Sequence, residues 1–148
     1  MRKRPGGGFT LLELLTAIAI IAALAALLAP ALHRARVKAC VVRTKATMAA
    51  IEAALSMYES DFGDYPASQG GTKDLVTLLR GPVDSQRWKG PYLRLKREDL
   101  DGDGEVIDAW GNKIVYRYPQ EESQDVPFVL RSAGPDRRTE TKDDIGNW

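Results

Sequence analysis

Two patterns of apolar and polar positions divide the chain. Residues 9–32, FTLLELLTAIAIIAALAALLAPAL, are apolar almost throughout, and Glu13 is the only charge among them. That run exceeds the roughly 20 residues a helix needs to cross a bilayer core. The pattern then changes without stopping. Val37, Val41, Met48, Ile51, Leu55, Tyr58 and Phe62 follow spacings of three, four or seven, with Thr44 in the widest gap. Such spacing places them on one stripe of an amphipathic helix that packs on a head. Gly63 and the turn Asp64-Tyr65-Pro66 end it. One helix over residues 9–62 is roughly 80 Å long. Pro30 removes one backbone hydrogen bond, so a bend or local melting is expected there.

The remainder, residues 63–148, reads as a small head. Ser68-Gln69-Gly70-Gly71-Thr72 precedes Lys73-Asp74-Leu75-Val76-Thr77-Leu78-Leu79, a capped short helix closed by Gly81-Pro82. Lys113-Ile114-Val115-Tyr116-Arg117-Tyr118 and Phe128-Val129-Leu130-Arg131 alternate with a period of two. They predict two antiparallel strands joined by the polar stretch 119–127. The fold class is therefore α+β, a long N-terminal helix packed on a small antiparallel sheet.

Composition narrows the function. The chain has 148 residues and a formal net charge of +1, which gives no reason to expect a nucleic-acid partner. A single cysteine, Cys40, forbids an intramolecular disulfide, and a single histidine, His33, forbids a multi-His metal site. A Ser-His-Asp set has only that one helical histidine to draw on, so no enzyme is expected. A basic cluster, His33-Arg34-Ala35-Arg36-Val37-Lys38 with Arg43 and Lys45, follows the apolar run. Plain solvation, lipid headgroups and acidic faces of neighbouring subunits all suit it. Because Arg2, Lys3 and Arg4 lie at the other end, counting positive charges leaves the membrane orientation ambiguous. An uncleaved signal anchor or a cleaved signal peptide would both explain the N-terminus.

Gly8-Phe9-Thr10-Leu11-Leu12-Glu13 resembles the class III leader of type IV pilins and type II secretion pseudopilins. The resemblance implies cleavage by the prepilin peptidase between Gly8 and Phe9, N-methylation of Phe9, and retention of the apolar helix. Glu13 becomes the fifth mature residue, where the family also has glutamate. An ionised carboxylate in hydrocarbon is costly unless paired. The ammonium created at Phe9 is such a partner, and in a growing filament the glutamate of one subunit meets the amine of its neighbour. A close pair in low dielectric offsets much of the penalty, which makes correct docking favourable. Glu13 is thereby an assembly residue.

Small cores without disulfides often need a metal, and two acid clusters invite one. The stretch from Ser132-Ala133-Gly134-Pro135-Asp136 to Asp143-Asp144-Ile145-Gly146-Asn147-Trp148 resembles the C-terminal calcium loop of the major pseudopilins. The resemblance implies calcium on the carboxylates of Asp136, Asp143 and Asp144 and the carbonyls of Ala133 and Thr141, with Arg137-Arg138 as a departure. Calcium takes six to eight hard oxygens, so this set with water suffices. The second cluster, Asp99-Leu100-Asp101-Gly102-Asp103-Gly104-Glu105, matches the first half of an EF-hand loop but has Trp110 at the twelfth position. Asp99, Asp101 and Asp103 form the weaker metal candidate, against a plain polar turn. Asp108-Ala109-Trp110-Gly111-Asn112 resembles the family's D-P-W-G-N segment and is expected to be a turn with a buried tryptophan.

The resemblance identifies the chain as similar to major pseudopilins of type II secretion. It implies a type IV pilin-like fold with a calcium loop and four parts: leader 1–8, membrane and polymerisation helix 9–32, amphipathic continuation 33–62, head 63–148. It also implies a homopolymer in a periplasmic pseudopilus, anchored by a single pass in the inner membrane. Its partners would be minor pseudopilins, the prepilin peptidase and the inner-membrane secretion platform with its cytoplasmic ATPase. The alternative is a type IV pilus pilin serving adhesion, motility or DNA uptake. A further alternative, an anchored calcium-binding module that never polymerises, would tolerate Glu13→Ala.

Overall fold

A computed structural model describes residues 10–120 and 125–148. The leader, its cleavage point between Gly8 and Phe9, and the methylation site at Phe9 lie outside these residues. The chain divides between Val37 and Lys38 into two compact units.

Helix α1 covers Leu11–Phe62 and ends where Gly63 adopts a positive φ of 88°. Its apolar part is exposed residue after residue, as in Leu11, Ile18, Ile21, Leu24 and Leu28. Only a helix satisfies all its backbone groups within one segment, so the apolar run suits a hydrocarbon surrounding. Pro30 sits inside α1, and the helix continues through it. The expected local melting is absent. A proline removes one intrahelical bond, here to the Ala26 carbonyl.

Within the second unit, the buried face of α1 is Thr44, Met48, Ile51, Ala54 and Leu55, with Val41 and Tyr58 packed beside it. This is the stripe read from the spacing. Phe62 extends it by stacking on Tyr58 at 4.3 Å between ring centroids.

The head carries strand β1 (Ser68–Gly70), helix α2 (Lys73–Arg80), and strands β2 (Val115–Tyr118), β3 (Val129–Ser132) and β4 (Ile145–Gly146). The strands form one antiparallel sheet in the order β1-β2-β3-β4. Tyr116 pairs with Leu130, and both are buried with Ile51, Leu55, Leu79 and Ile114 in one core. The two expected strands are β2 and β3. The outer two arise in segments that sequence alone reads otherwise: β1 in the stretch before α2, and β4 inside the C-terminal acid loop.

Helix α2 departs from expectation in how it is capped. Thr72 is the N-cap but makes no side-chain cap bond of its own. The Glu105 carboxylate, from a distant loop, accepts hydrogen bonds from Thr72 N (2.6 Å), Thr72 Oγ1 (2.8 Å) and Lys73 N (3.0 Å). An acid at a helix N-terminus satisfies orphan amides and complements the helix dipole. At the other end Gly81, with φ 55°, forms the C-cap. A Cβ there would come within 2.1 Å of the Trp88 ring, so only glycine fits.

Candidate assembly site and metal centre

The assembly candidate lies at the start of α1. Thr10 N and Thr10 Oγ1 donate to Glu13 Oε2 at 2.9 and 2.8 Å, and Glu13 N donates to Thr10 Oγ1 at 3.2 Å. This reciprocal pair is a capping box, in which N-cap and N3 side chains satisfy each other's amides. Glu13 therefore stabilises the start of its own helix before any neighbour arrives. Both contacts use Oε2. The signal was in the sequence, because Thr10 stands three residues before Glu13.

The C-terminal loop gathers Asp143 and Asp144 around the Thr141 hydroxyl, with Asp136 against Asp143. Thr141 Oγ1 donates to Asp143 Oδ1 at 2.6 Å and lies 3.4 Å from Asp144 Oδ1. Asp143 Oδ2 accepts from Asp136 N at 3.1 Å, and Asp144 Oδ2 accepts from Glu140 N at 2.8 Å. The Thr141 hydroxyl holds the Asp143 carboxyl below its ordinary value, against the opposing effect of burial. The Asp136 carboxylate accepts from Arg138 N at 2.8 Å. Among the described residues no three His, Cys, Asp or Glu side chains are grouped closely enough to hold a metal ion. The donor set has the hard-oxygen chemistry of a calcium site.

Backbone conformation and close contacts constrain the loop. Gly134 has φ 63°, and a Cβ there would meet the Asp143 carbonyl at 2.2 Å. Arg137, also at positive φ, directs its guanidinium to the Trp110 carbonyl at 3.4 Å.

Sequence reasoning missed what ties the loop down. Asp108 is 4% exposed, whereas Trp110 is only half-buried, so the buried member of the Asp108–Asn112 turn is the acid and not the expected tryptophan. Asp108 Oδ1 accepts from Trp110 N and Asn112 N, both at 2.8 Å. Its Oδ2 accepts from Asn112 Nδ2 at 2.8 Å and from Ser132 Oγ at 2.7 Å. Asn112 Nδ2 also donates to the Gly134 carbonyl at 2.9 Å, and Ser132 Oγ accepts from Gly134 N at 3.1 Å. Ala109 N donates to Thr44 Oγ1 on α1 at 3.1 Å. A buried carboxylate with four donors thus links helix, turn and loop. The available signal was an aspartate followed closely by Gly-Asn, the composition of an Asx turn.

The second acid cluster is committed to protein partners. Asp99 Oδ1 pairs with Arg43 at 3.0 Å and its Oδ2 accepts from Lys96 N at 3.1 Å. Asp101 Oδ1 accepts from Asp103 N and Glu105 N, both at 2.9 Å, and its Oδ2 faces Lys113 Nζ at 3.4 Å. Asp103 also approaches Lys113 Nζ, at 3.8 Å. These contacts are those expected of a polar turn, the plainer of its two readings.

Known proteins share the fold and the N-terminal motif of this chain. Residues 31–148 match the family model described as type II secretion system (T2SS), protein G, and residues 3–29 match the prokaryotic N-terminal methylation motif. The type II secretion system core protein G of Pseudomonas aeruginosa is 35% identical, over 100% of this chain and 99% of its own. That of Escherichia coli is 35% identical over 95% of this chain and 90% of its own. The crystal structure of the major pseudopilin of enterohaemorrhagic Escherichia coli aligns with a TM-score of 0.50 and 29% identity, over 79% of this chain and 93% of that one.

Proposed function

The chain belongs to the type II secretion system protein G family, and from that premise we propose how its parts serve a filament. It is a major pseudopilin-like structural subunit that polymerises into the pseudopilus of a type II secretion system and drives protein export across the outer membrane. The pilus-pilin alternative is not favoured, since the family model and these relatives are those of secretion protein G. The family is a structural one, and the subunit works without catalysis.

The observation that carries the mechanism is the exposed apolar segment of α1, residues 11–32, whose one acid already caps its first turn. The peptidase cuts after Gly8 and methylates Phe9, so the cation appears beside the carboxylate only after processing. Glu13 then holds two roles in sequence. In the membrane its Oε2 serves Thr10, and in the filament the carboxylate faces the amine of an adjacent copy. A charge pair away from water offsets the cost of each charge alone. The protein crosses the inner membrane once with its head in the periplasm. It grows through its own N-terminal helices, with minor pseudopilins, the secretion platform and its ATPase as partners.

Calcium would be held in the C-terminal loop by Asp136, Asp143 and Asp144, with the Ala133 and Thr141 carbonyls. Bound there, the ion would supply the cross-link that the lone cysteine cannot. The second cluster, Asp99, Asp101 and Asp103, stays a protein-bonded turn.

The test has three arms. N-terminal sequencing of the processed chain should begin at Phe9; a start before it would refute the cleavage. Glu13→Gln should abolish pseudopili on electron microscopy while leaving the chain membrane-bound; fibres at normal frequency would overturn the docking role. Calcium at about 100-fold above its dissociation constant should stabilise the full chain in detergent by about 2.7 kcal/mol. Asp143→Ala should remove that shift, and an unchanged melting temperature in chelator would refute the metal.

A further inference from the structure

The basic residues directly after the apolar run are unused by the assembly and calcium sites. Residues 11–32 rise about 33 Å as a helix, close to the roughly 30 Å thickness of a hydrocarbon core. His33, Arg34 and Arg36 come next and are all exposed. They span about 4.5 Å of helix rise, which fits inside a headgroup layer roughly 5–7 Å thick.

Among the described residues nothing neutralises them. Between Glu13 and Glu52 the helix carries no acid, so no partner exists three or four residues away. Among the described residues no ion pair involves His33, Arg34 or Arg36, whereas Arg43 further along is held by Asp99 and Glu98. Their directions differ as well. Arg34 and Arg36 stand about 200° apart around the helix, on nearly opposite sides. A single neighbouring helix can face one of them. A plane of headgroups surrounds the helix and reaches both, because long basic side chains extend from an apolar stem to the surface.

On these grounds we propose that His33, Arg34 and Arg36 form a binding site for anionic phospholipid headgroups at the membrane surface where the apolar segment ends. The inference rests on the reading of residues 11–32 as the membrane anchor. Its consequence is directional: the contacts hold the waiting subunit at a fixed depth and must break when it leaves the bilayer for the filament.

The test uses the full chain reconstituted in phosphatidylcholine vesicles doped with spin-labelled phosphatidylglycerol or spin-labelled phosphatidylcholine. Electron paramagnetic resonance gives the relative association of each lipid with the protein. Phosphatidylglycerol should be selected about two- to five-fold, given the size of cation–anionic-lipid attraction. Arg34→Gln/Arg36→Gln should bring the ratio close to one, and the charge-conserving Arg34→Lys/Arg36→Lys should keep it. Arg2→Gln/Lys3→Gln/Arg4→Gln removes the cations at the other end, and part of the selection should survive it. No selection by the unaltered chain, or selection unchanged in the double glutamine variant, overturns the proposal. Loss of self-association in that variant with lipid selection intact would assign the arginines to a neighbouring copy and also overturn it. Flotation with the vesicles is read separately. A chain that fails to float refutes the anchor and this site together, whereas one that floats without selection refutes this site alone.

Discussion

Asp108 shows how much one side chain decides. Its carboxylate accepts four hydrogen bonds in a buried position. Asn at this site presents an amide donor to groups that are themselves donors, and leaves at least one unpaired. Asp108→Asn should cost about 2–3 kcal/mol, read as a lower thermal midpoint of the full chain in detergent. A midpoint within a degree of the parent would show that the network is dispensable. Gly134 is constrained by space as well as by φ, with the Asp143 carbonyl 2.2 Å from any added Cβ. Gly134→Ala should destabilise by about 1–3 kcal/mol, and it should weaken the calcium response because the backbone of Asp143 must shift. Glu105 is legible only as an acid in a turn, yet it caps a helix 32 residues upstream.

At the scale of elements, α1 is one helix with two surroundings. Ile51 is fully buried against the sheet, while Val42 on another face is 65% exposed. Ile51→Ala should therefore cost about 2–4 kcal/mol through lost burial and a cavity, and Val42→Ala should change the melting midpoint little. Pro30 leaves the Ala26 carbonyl without an intrahelical donor. Pro30→Ala should restore that bond, since an interior proline costs about 3 kcal/mol or more. Hydrogen exchange is the measurement: amides just after residue 30 should become better protected. Equal exchange in both chains would show that the helix is not weakened there. Helix α2 depends on its distant acid, so Glu105→Ala should cost about 1–2 kcal/mol, the usual value of a lost N-cap.

For the whole molecule, the carboxylates set a pH dependence. Burial pushes the Glu105 carboxyl up, but the amides of Thr72 and Lys73 with the Thr72 hydroxyl outweigh it and hold it below its ordinary 4.5. Lys89 and the Tyr92 hydroxyl likewise hold Asp61 below 3.8. A carboxyl depressed in the folded state binds fewer protons than in the unfolded chain. Its contribution is full above the ordinary value and is lost as pH falls through the folded value. Thermal stability should therefore be flat above about pH 5 and fall progressively below about pH 4.5. Glu105→Gln should lower the plateau and shallow the fall. A midpoint that stayed constant from pH 6 to pH 3 would contradict the assignment.

Patterns of spacing and residue type determined by themselves the long helix, its buried stripe, its end at Phe62, the two central strands and the N-terminal methylation motif. All are local or periodic: hydrophobic period, a proline or glycine stop, a short motif. The tertiary structure decided what depends on residues far apart meeting in space. It paired Glu105 with the start of α2, buried Asp108 rather than Trp110, made an edge strand of Ile145–Gly146, and bound Asp99 to Arg43. A carboxylate in a sequence has no sign of whether its partner will be a metal, a lysine or a distant amide. Which donor lies within about 3 Å follows from how the chain closes on itself, and only the folded geometry contains that information.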